Sequence, residues 1–461
     1  MATEASHEKI VVVGAGLVGS LAAIYLAKHG YQVDVYERRP DMRKEKISAG
    51  RSINLAVSTR GLHALREVGL EEKVLEQAIP MKGRMIHSIK GDLTFQPYGT
   101  KDSEYINSVS RGGLNQLLMS EAEKYSKVAF HFNRKVSGMD FKKGVLKFED
   151  PAGEERVDRV IATDGSASLI RVEMMKQYGA KCSEEYLEYG YKELLIPPGP
   201  GGRFQMEKNA LHIWPRGTFM LIALPNFDAS FTCTLFLPNK GTVSFESLQS
   251  REQVSAFFNE YFRDAVHLMP GLVETFMENP TGHMVTVKCF PWGVDDKALL
   301  LGDAAHAIVP FFGQGMNCGF EDLTVLEEYM KKCKTHGKID WAALFDEFPR
   351  HRKPDSDSIA DMAVENFVEM RDKVGNPRFL LEKAVEKVLQ REFPKDYVSR
   401  YSMVSFSRVP YRFAAQAGTV QDEILRELSA NIQSAEQVDL KRAGELIRMK
   451  LVPVWNKLNQ E

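Results

Sequence analysis

A glycine-rich turn near the start of the chain constrains the fold most strongly. Gly14-Ala15-Gly16-Leu17-Val18-Gly19 follows a short apolar run at residues 10–13 and precedes a helical pattern that Gly30 ends. Residues 33–36 form a second predicted strand, which ends at Glu37. A GxGxxG turn between a strand and a helix, with an acid about 20 residues further on, is typical of a βαβ unit that binds a dinucleotide. The glycines let the backbone approach a pyrophosphate, and Glu37 suits ribose hydroxyls. The sequence therefore predicts an α/β, Rossmann-like domain.

A second transition from strand to glycine lies at residues 299–322, LLLGDAAHAIVPFFGQGMNCGFED. Three apolar residues end in Gly302-Asp303, and a helical pattern begins near Asn317, after Gly313 and Gly315. A helix start offers unpaired N–H groups and a positive dipole end to an anionic cofactor, and Asp303 can accept hydrogen bonds from sugar-type hydroxyls. Taken alone, the segment also fits an ordinary strand–loop–helix connection. For His306, a structural imidazole is favoured over a catalytic base.

Other charged residues point toward the same cofactor but allow a second interpretation. Arg38 and Arg39 follow Glu37 and lie either beside the cofactor or in a solvated loop. Arg51 could pair with a phosphate group. A further strand stops at the carboxylate of Asp164, which makes that residue another candidate contact.

The middle of the chain predicts a second domain. Residues 79–100 are too irregular for a βαβ unit, and they contain Arg84 and Tyr98, whose side chains can both bind a carboxylate. Spacing alone favours surface positions for these two residues. Residues 189–238 alternate like the strands of a new sheet. Three apolar residues of that sheet could wall a pocket or belong to the core: Ile222, Leu224 and Phe236.

The predicted fold is a Rossmann-like α/β domain with an inserted antiparallel-sheet domain and a C-terminal helical region. The first domain is discontinuous and comprises residues 1–73, 102–185 and 290–335. The sheet domain for the substrate comprises residues 74–101 and 186–289, and the helical region comprises residues 336–461.

Composition and missing motifs exclude several classes of function. The net charge of −2 over 461 residues gives no reason to expect nucleic-acid binding. The five cysteines are widely spaced and form no CxxC pair, which favours reduced thiols and argues against a zinc site. No apolar leader and no run of about 18 apolar residues occurs, so we expect a cytoplasmic protein without an integral membrane anchor. Because no nucleophile–base signature is present, the cofactor is expected to carry the chemistry.

The chain resembles FAD-dependent aromatic hydroxylases of the para-hydroxybenzoate hydroxylase type in three segments: the glycine turn with Glu37, the strand end at Asp164-Gly165 and the strand end at Gly302-Asp303. Further segments resemble the kynurenine 3-monooxygenase family within that class, and they span the chain from about residue 10 to residue 411: GRSINLAVSTRG, IPMKGRMIH, YGYKELLIPP, LHIWPR, FMLIALPN, SFTCTLFLP, ENFVEM and RYSMVSFSRVPY. Ala162-Thr163 before Asp164 departs slightly from the family pattern, in which Gly-Cys or Gly-Ala is frequent. The C-terminal segment LVPVW is too short for the apolar tail by which eukaryotic members look membrane-anchored.

The resemblance implies a reaction in two stages. NADPH reduces a tightly but non-covalently bound FAD, and dioxygen then adds at the flavin C4a to give a hydroperoxide. The distal oxygen of that hydroperoxide is transferred to ring position 3 of L-kynurenine, which gives 3-hydroxykynurenine. The binding of NADPH is transient, because the class has no separate NADPH fold. The alternatives are a hydroxylase of another aromatic acid and a flavin-binding redox protein that inserts no oxygen. The resemblance leaves the choice between monomer and homodimer open.

The resemblance also implies the roles of particular residues. It assigns the amino-acid end of the substrate to Arg84, Tyr98, Asn366 and Tyr401. It assigns the aromatic ring to Ile222, Leu224, Phe236, Phe312 and Met370. It assigns FAD contacts to Gly14, Gly16, Leu17, Val18, Gly19, Tyr36, Glu37, Arg38, Arg39, Arg51, Leu55, Ala56, Arg111, Val136, Asp164, Asp303, Gly315, Met316 and Asn317. It implies no metal and no catalytic side chain.

Overall fold

The computed structural model describes residues 8–45, 54–99, 101–149, 151–369 and 376–458. In chain order, its strands are β1 Lys9–Val13, β2 Gln32–Tyr36, β3 Asn54–Val57, β4 Ile79–Met81, β5 Gly83–His87, β6 Leu93–Pro97, β7 Ile106–Ser110, β8 Val128–His131, β9 Val136–Asp140, β10 Val145–Phe148, β11 Gly153–Arg156, β12 Arg159–Ala162, β13 Lys181–Ile196, β14 Ala210–Pro215, β15 Met220–Pro225, β16 Phe231–Pro238, β17 Gly282–Phe290, β18 Gly293–Val294, β19 Ala298–Leu300, β20 Lys334–Thr335 and β21 Lys338–Ile339. Its α-helices are α1 Leu17–Lys28, α2 Thr59–Glu67, α3 Glu71–Leu75, α4 Arg111–Ala122, α5 Leu169–Tyr178, α6 Arg251–Tyr261, α7 Arg263–Val266, α8 Leu272–Glu278, α9 Asp303–His306, α10 Gly315–Lys332, α11 Trp341–Val368, α12 Pro377–Glu392, α13 Arg400–Phe406, α14 Tyr411–Ser429, α15 Leu440–Leu446 and α16 Val452–Leu458.

The chain divides into two compact units, each assembled from three separate segments. The first unit comprises residues 1–77, 109–187 and 284–360, and the second comprises residues 78–108, 188–283 and 361–461. This division differs from the predicted domains mainly in the helices near the C-terminus. Residues up to 360 group with the first unit, where Arg352 pairs with Asp322. Residues from 361 group with the sheet of the second unit, where Phe367 packs edge-on against Tyr189.

A mostly parallel sheet, in which only the edge strand β18 pairs antiparallel with its neighbour β19, organises the described part of the first unit. Among the described residues, six strands follow the order β18-β19-β12-β1-β2-β8. β1 pairs in parallel with both β2 and β12, and β12 pairs in parallel with β19. Ile10, Val11 and Val12 of β1 are fully buried, as a central strand with helices on both faces requires. Because parallel strands end at the same edge of a sheet, the segments after β1, β2, β12 and β19 meet there, and the predicted α/β class is confirmed.

A larger sheet organises the second unit. The described strands follow the order β17-β13-β16-β15-β14-β5-β6. The pairs β13·β16, β16·β15, β15·β14 and β5·β6 are antiparallel, whereas β14·β5 is parallel because β5 comes from the separate segment at 78–108. One face of this sheet forms a buried core with α6, α7 and α8, in which Leu221, Cys233 and Leu235 pack among Phe257 and Phe258. Residues that alternate with these core positions therefore point to the other face.

The C-terminal part of the second unit is helical, as predicted. α14 buries one face, which includes Tyr411, Ala414, Ile424 and Leu425. Within the described ranges, no helix combines the length and the apolar character that crossing a lipid bilayer requires.

Candidate functional site

The glycine loop of the first unit packs tightly at two positions and is open at a third. Gly14 has a φ of +99°, and a Cβ there would lie 2.7 Å from the carbonyl oxygen of Thr163. A Cβ on Gly19 would lie 2.0 Å from the carbonyl oxygen of Gly14. By contrast, a Cβ on Gly16 would meet no atom within 4 Å, and α1 starts directly after Gly16 without a side-chain cap. The loop therefore presents bare backbone and the unpaired N–H groups of a helix start, which suit a phosphate group.

Glu37 fixes this loop from the end of β2. Its Oε2 accepts a hydrogen bond from the backbone N–H of Ala15 at 3.0 Å, and its Oε1 accepts one from that of Arg39 at 2.9 Å. Each carboxylate oxygen keeps a further lone pair for a ligand hydroxyl. Arg38 and Arg39 are both exposed.

Asp164 and Asp303 both follow strand ends, but their surroundings differ. Asp164 accepts hydrogen bonds from the Ser168 hydroxyl at 2.5 Å and from the backbone N–H of Leu169 at 2.8 Å, and it thereby caps the start of α5. Asp303 is exposed, and no hydrogen bond to its carboxylate is found among the described residues. Although its side chain is accessible to solvent, the protein around the carboxylate partly desolvates it and raises the pKa of Asp303, and the charges of Arg111 and His306 oppose that shift. Of these two aspartates, Asp303 is thus the one whose carboxylate remains available to a ligand hydroxyl.

Asn317 connects β3 to the start of α10. Its Nδ2 donates to the carbonyl oxygens of Ala56, at 2.8 Å, and Gly313, at 2.9 Å, while its Oδ1 accepts from the backbone N–H of Ser58 at 2.9 Å. The side chain is therefore fully engaged in bracing backbone. At the helix start, the nearest atom to a Cβ on Gly315 would lie 4.0 Å away. This end of α10 is open, as an anion site at a helix N-terminus requires.

The remaining predicted cofactor residues of the first unit lie on several different elements. Leu55 is half-buried on β3, Met316 is buried in the first turn of α10, and Arg111 is exposed at the first position of α4. Val136 is half-buried on β9. Tyr36 stacks on His131 with ring centroids 4.7 Å apart, so its side chain serves packing, while its carbonyl oxygen accepts from the N–H of Gly14 at 2.8 Å. Arg51 lies outside the described residues.

These features fit a dinucleotide with a pyrophosphate and polyhydroxyl groups. The backbone at Gly16 is open, the starts of α1 and α10 are uncapped by side chains, and Asp303 has an available carboxylate. Val18 packs at the same place, because a Cβ on Gly302 would lie 3.0 Å from its Cγ2. The donor set and the open backbone are those that FAD needs.

A buried charged network behind Asp303 was not predicted from the sequence. It consists of Arg60, Glu321, Arg352, Asp322 and His306, hereafter the Asp322 network. Asp322 accepts from the backbone N–H of Gly302 at 2.9 Å, from His306 Nε2 at 2.6 Å and from Arg352 Nε at 2.8 Å. His306 is therefore a hydrogen-bonded structural imidazole, in agreement with the interpretation of the sequence. The sequence offered one signal of this network, the spacing of His306, Glu321-Asp322 and Arg352 along the chain. Spacing alone does not reveal which of these side chains pair with one another.

Electrostatics keeps Asp322 and His306 of this network charged. Burial by itself would raise the pKa of Asp322, but His306 and Arg352 outweigh it and hold that pKa below its ordinary value. Burial by itself would lower the pKa of His306, but the negative charge of Asp322 raises it well above the ordinary value. His306, Cys318 and Asp322 bring potential metal-ligand atoms within 4.8 Å of one another. The guanidinium of Arg352 already lies 3.2 Å from the Cys318 sulfur, so a metal ion would have to displace a resident cation.

An arginine and two tyrosines of the second unit form a cluster with no acidic member. In this Arg84 cluster (Arg84, Tyr98 and Tyr401), the guanidinium carbon lies 5.5 Å from the centroid of the Tyr98 ring and 5.2 Å from that of Tyr401. The two rings stack with centroids 5.2 Å apart and planes inclined by 10°. Within the described part of the chain, no carboxylate lies within ion-pair distance of Arg84, although the charge of Glu369 acts on it from further away and, with the two tyrosines, raises its pKa against the effect of burial. Neither Arg84 Nε nor the Tyr98 hydroxyl has a hydrogen-bond partner there.

The Arg84 cluster is suited to a carboxylate. Burial raises the pKa of Tyr98 well above its ordinary value and also raises that of Tyr401, so both phenols keep their protons at neutral pH. An arginine is always protonated in a protein. The cluster therefore combines a positive charge with N–H and O–H donors. A buried guanidinium without an anion is costly, and a ligand carboxylate would satisfy it through charge-assisted hydrogen bonds.

The sheet register places the predicted ring pocket on the same face as Arg84. Arg84 pairs laterally with Leu211, and Ile213, two residues further along that strand, pairs with Ile222. Laterally paired side chains, and those two residues apart, share a face of a sheet. The face opposite the core therefore carries Arg84 together with Ile222, Leu224 and Phe236. Leu224 and Phe236 are buried, and Ile222 is half-buried.

Three other predicted substrate residues are placed less closely. Asn366 is half-buried near the end of α11, next to Phe367, and its contact with a substrate stays a prediction. Phe312 is half-buried in a 3-10 turn of the first unit, at Pro310–Phe312, and its part in the ring pocket also stays a prediction. Met370 lies outside the described residues.

Two histidines lie on the core face of this sheet: His87 on β5, the strand that also carries Arg84, and His212 on the neighbouring strand β14. His87 lies 3.0 Å from Asp264 through Nδ1 and 2.9 Å from His212 Nδ1 through Nε2. His212 Nε2 donates to the carbonyl oxygen of Glu207 at 2.8 Å, so its Nδ1 is the acceptor toward His87. Burial lowers the pKa of His212 to about 4, which keeps this imidazole neutral.

Comparison with known proteins adds the family. A family model described as "FAD binding domain" matches residues 7–196 and 250–356. A kynurenine 3-monooxygenase of Myxococcus xanthus is 58% identical over 455 residues, which cover 98% of this chain and 97% of that protein. A kynurenine 3-monooxygenase of Dictyostelium discoideum is 45% identical and covers 96% of this chain and 98% of its own length.

A solved structure supports the fold independently of close sequence similarity. The tetrameric form of 2-methyl-3-hydroxypyridine-5-carboxylic acid oxygenase superposes with a TM-score of 0.66 at 19% identity, and the match covers 84% of this chain and 98% of that one. Its similarity concerns the fold, whereas the two relatives match along nearly the full length. The chain therefore belongs to the kynurenine 3-monooxygenase family of FAD-dependent aromatic monooxygenases.

Proposed function

We propose that the protein hydroxylates L-kynurenine at ring position 3, with NADPH as the reductant and dioxygen as the oxidant. The observation that carries the proposal is the Arg84 cluster, in which a buried guanidinium lacks an acidic partner among the described residues and lies against two protonated phenols. L-kynurenine is an amino acid with an aromatic ketone side chain, so it supplies both the carboxylate and a ring. The names of the full-length relatives favour this substrate over other aromatic acids.

In the proposed complex, Arg84 binds the carboxylate, and Tyr98 and Tyr401 donate hydrogen bonds to it. Asn366 contacts the amino-acid end of the substrate as well. Ile222, Leu224 and Phe236 contact the ring on the same face of the sheet. The family resemblance assigns Phe312 and Met370 to the ring as well. Apolar contacts of this kind orient the ring and exclude water from the reacting carbon.

When bound, FAD supplies the redox chemistry, because it accepts reducing equivalents from NADPH and activates dioxygen. One oxygen atom enters the substrate and the other leaves as water, while NADPH becomes NADP⁺. The aromatic amine of kynurenine activates the adjacent ring carbon, so no protein base is required. The tasks of this chain are to hold FAD through the glycine loop, Asp303 and the start of α10, and to fix the substrate through the Arg84 cluster.

The decisive experiment measures turnover and product together. The purified protein is incubated with NADPH in air, with and without L-kynurenine, and the product is identified by mass spectrometry. We expect NADPH oxidation to depend on kynurenine and the product to gain one oxygen atom. Oxidation of NADPH without an oxygenated product would instead favour a flavin-dependent redox protein. A panel of simple phenolic acids distinguishes a hydroxylase of another aromatic acid, because those compounds lack the amino-acid end that the Arg84 cluster would bind.

A further inference from the structure

The Asp322 network links four helices: α2, α9, α10 and α11. Arg60 lies on α2, directly after β3, and pairs with Glu321 at 2.5 Å. Glu321 also pairs with Arg352 at 3.0 Å, and Arg352 pairs in turn with Asp322 at 2.8 Å. Asp322 then reaches His306, the last residue of α9. All five side chains are buried, so solvent does not screen their charges.

Asp322 holds both ends of the single turn that presents Asp303. Its Oδ2 accepts a hydrogen bond from the backbone N–H of Gly302, directly before Asp303, and another from the ring of His306, the last residue of that turn. The turn itself is closed by hydrogen bonds from the N–H groups of Ala305 and His306 to the carbonyl oxygen of Gly302. One oxygen atom on α10 therefore determines where α9 starts and ends.

We propose that Asp322 is a positioning residue for FAD, which holds the Gly302–His306 turn so that the carboxylate of Asp303 is aimed at the bound cofactor. Asp303 itself has no hydrogen bond to hold it among the described residues. Its direction thus depends on the backbone of the turn, which in turn depends on Asp322. The inference concerns FAD binding and does not require that kynurenine be the substrate.

The charge of Asp322 is essential to this role. An asparagine at the same position would bring an NH₂ group toward donors that need an acceptor, and it would leave His306 and Arg352 without their counter-charge. Removal of one member of a buried ionic network leaves the others uncompensated, so the turn is expected to move to satisfy them.

The main test compares Asp322→Asn with a control on the same helix, Glu327→Gln, in the full-length apoprotein. Glu327 is also a carboxylate between a histidine and a cation, with His29 at 2.5 Å and Lys331 at 3.1 Å, and it lies in a later turn of α10. FAD dissociation constants are measured by flavin fluorescence, and thermal unfolding of each apoprotein is recorded in parallel. For Asp322→Asn we expect FAD to bind at least ~10-fold more weakly, which corresponds to about 1.4 kcal/mol. The control is expected to lose thermal stability while its FAD affinity stays within about 2-fold of wild type, because independent sites do not couple.

A second measurement follows the turn without any cofactor. Hydrogen–deuterium exchange of the peptide that contains Gly302 should be faster in Asp322→Asn than in Glu327→Gln, since only the former weakens the acceptor for that N–H group. If Asp322→Asn does not fold, Arg352→Lys takes its place, because lysine keeps the charge but lacks the second donor that reaches Cys318. For this variant we expect weaker FAD binding and faster exchange at Gly302, both by a smaller amount than in Asp322→Asn.

Equal FAD affinity and equal exchange at Gly302 in Asp322→Asn and the control would overturn the proposal. Asp322 would then stabilise the unit as any buried ion pair does. Neither measurement uses kynurenine or NADPH, so a failure of the proposed reaction would leave both values unchanged.

Discussion

Replacement of Arg84 by methionine removes the one positive charge of the Arg84 cluster and keeps most of the apolar volume. In the proposed complex, Arg84 forms charge-assisted hydrogen bonds with the substrate carboxylate, away from bulk water. Loss of one partner of such a pair costs about 2–4 kcal/mol. This free energy corresponds to a KM for L-kynurenine that is raised ~30- to ~1000-fold.

The same substitution is expected to change the stability of the free protein little. Arg84 Nε has no hydrogen-bond partner among the described residues, whereas Glu369 and the two tyrosines favour the charged guanidinium, so its cost and its gain oppose each other in the absence of a ligand. We therefore expect the Tm of substrate-free Arg84→Met to stay close to that of wild type. A change that weakens substrate binding without lowering Tm is difficult to explain by general damage to the fold.

The assay measures KM for kynurenine and for its decarboxylated analogue, kynuramine, in wild type and variant. The penalty should vanish for the analogue, because it lacks the group that Arg84 binds. Arg84→Lys should give an intermediate KM, since lysine keeps the charge and loses the two-pronged geometry. Arg203→Met serves as the control, because Arg203 is an exposed arginine of the same unit. A penalty of equal size for both substrates would refute the assignment of the carboxylate to Arg84.

Gly16→Val is expected to fold but to lose FAD, because the valine side chain would fill space that is open in the apoprotein and that the proposed cofactor occupies. Gly19→Ala should instead lower the Tm of the apoprotein, since its Cβ would lie 2.0 Å from a backbone oxygen. Full FAD occupancy in Gly16→Val, read from the absorption spectrum, would contradict the placement of the pyrophosphate. Acid should destabilise the fold through His212, whose pKa falls from 6.5 to about 4 on folding. The unfolded chain then binds the proton first, so this contribution is complete above pH 6.5 and is lost as the pH falls toward 4, by about 3 kcal/mol. Denaturant titrations across that pH range should show a smaller loss of unfolding free energy for His212→Gln than for wild type. An equal dependence of the unfolding free energy on pH in the two proteins would argue against this role of His212. Tyr401→Phe should keep FAD but reduce the acceleration of anaerobic flavin reduction by kynurenine, which we expect to be at least ~10-fold in wild type; stopped-flow traces that show no acceleration in wild type would exclude substrate control.

Local signals were sufficient to predict the dinucleotide-binding unit. The glycine turn and the acid after the second strand depend on residues close in sequence, and the observed strands Lys9–Val13 and Gln32–Tyr36 start one residue before the predicted ones. The strand ends at Asp164 and Asp303 were also predicted. What could not be predicted is the difference between these two carboxylates. The sequence shows the same strand-to-acid step twice, yet Asp164 caps α5 and Asp303 faces solvent.

Long-range pairing explains the other differences. The Arg84 cluster could be inferred only through the family resemblance, because Tyr401 lies far along the chain and spacing alone favours a surface arginine. The helix that carries Arg352 reads as part of a separate C-terminal region, since nothing in its sequence reveals the pairing with Asp322. The cofactor contacts of Tyr36 and Asn317 stay predictions, and the structure adds that their side chains are engaged in packing and in hydrogen bonds to backbone.

The order of strands in the first unit also determines how this chain must fold during synthesis. β1 pairs with β2 within the first 36 residues, but its other neighbour, β12, begins at Arg159, and β19 follows only at Ala298. At a synthesis rate of roughly 5–20 residues per second, the open edge of β1 waits about 6–25 s after β2 until β12 is complete. Neither unit is encoded by a continuous stretch of the gene. Truncated forms of either unit are therefore expected to aggregate, and protection of the nascent N-terminal strands should limit the yield of folded protein more than the stability of the finished fold does.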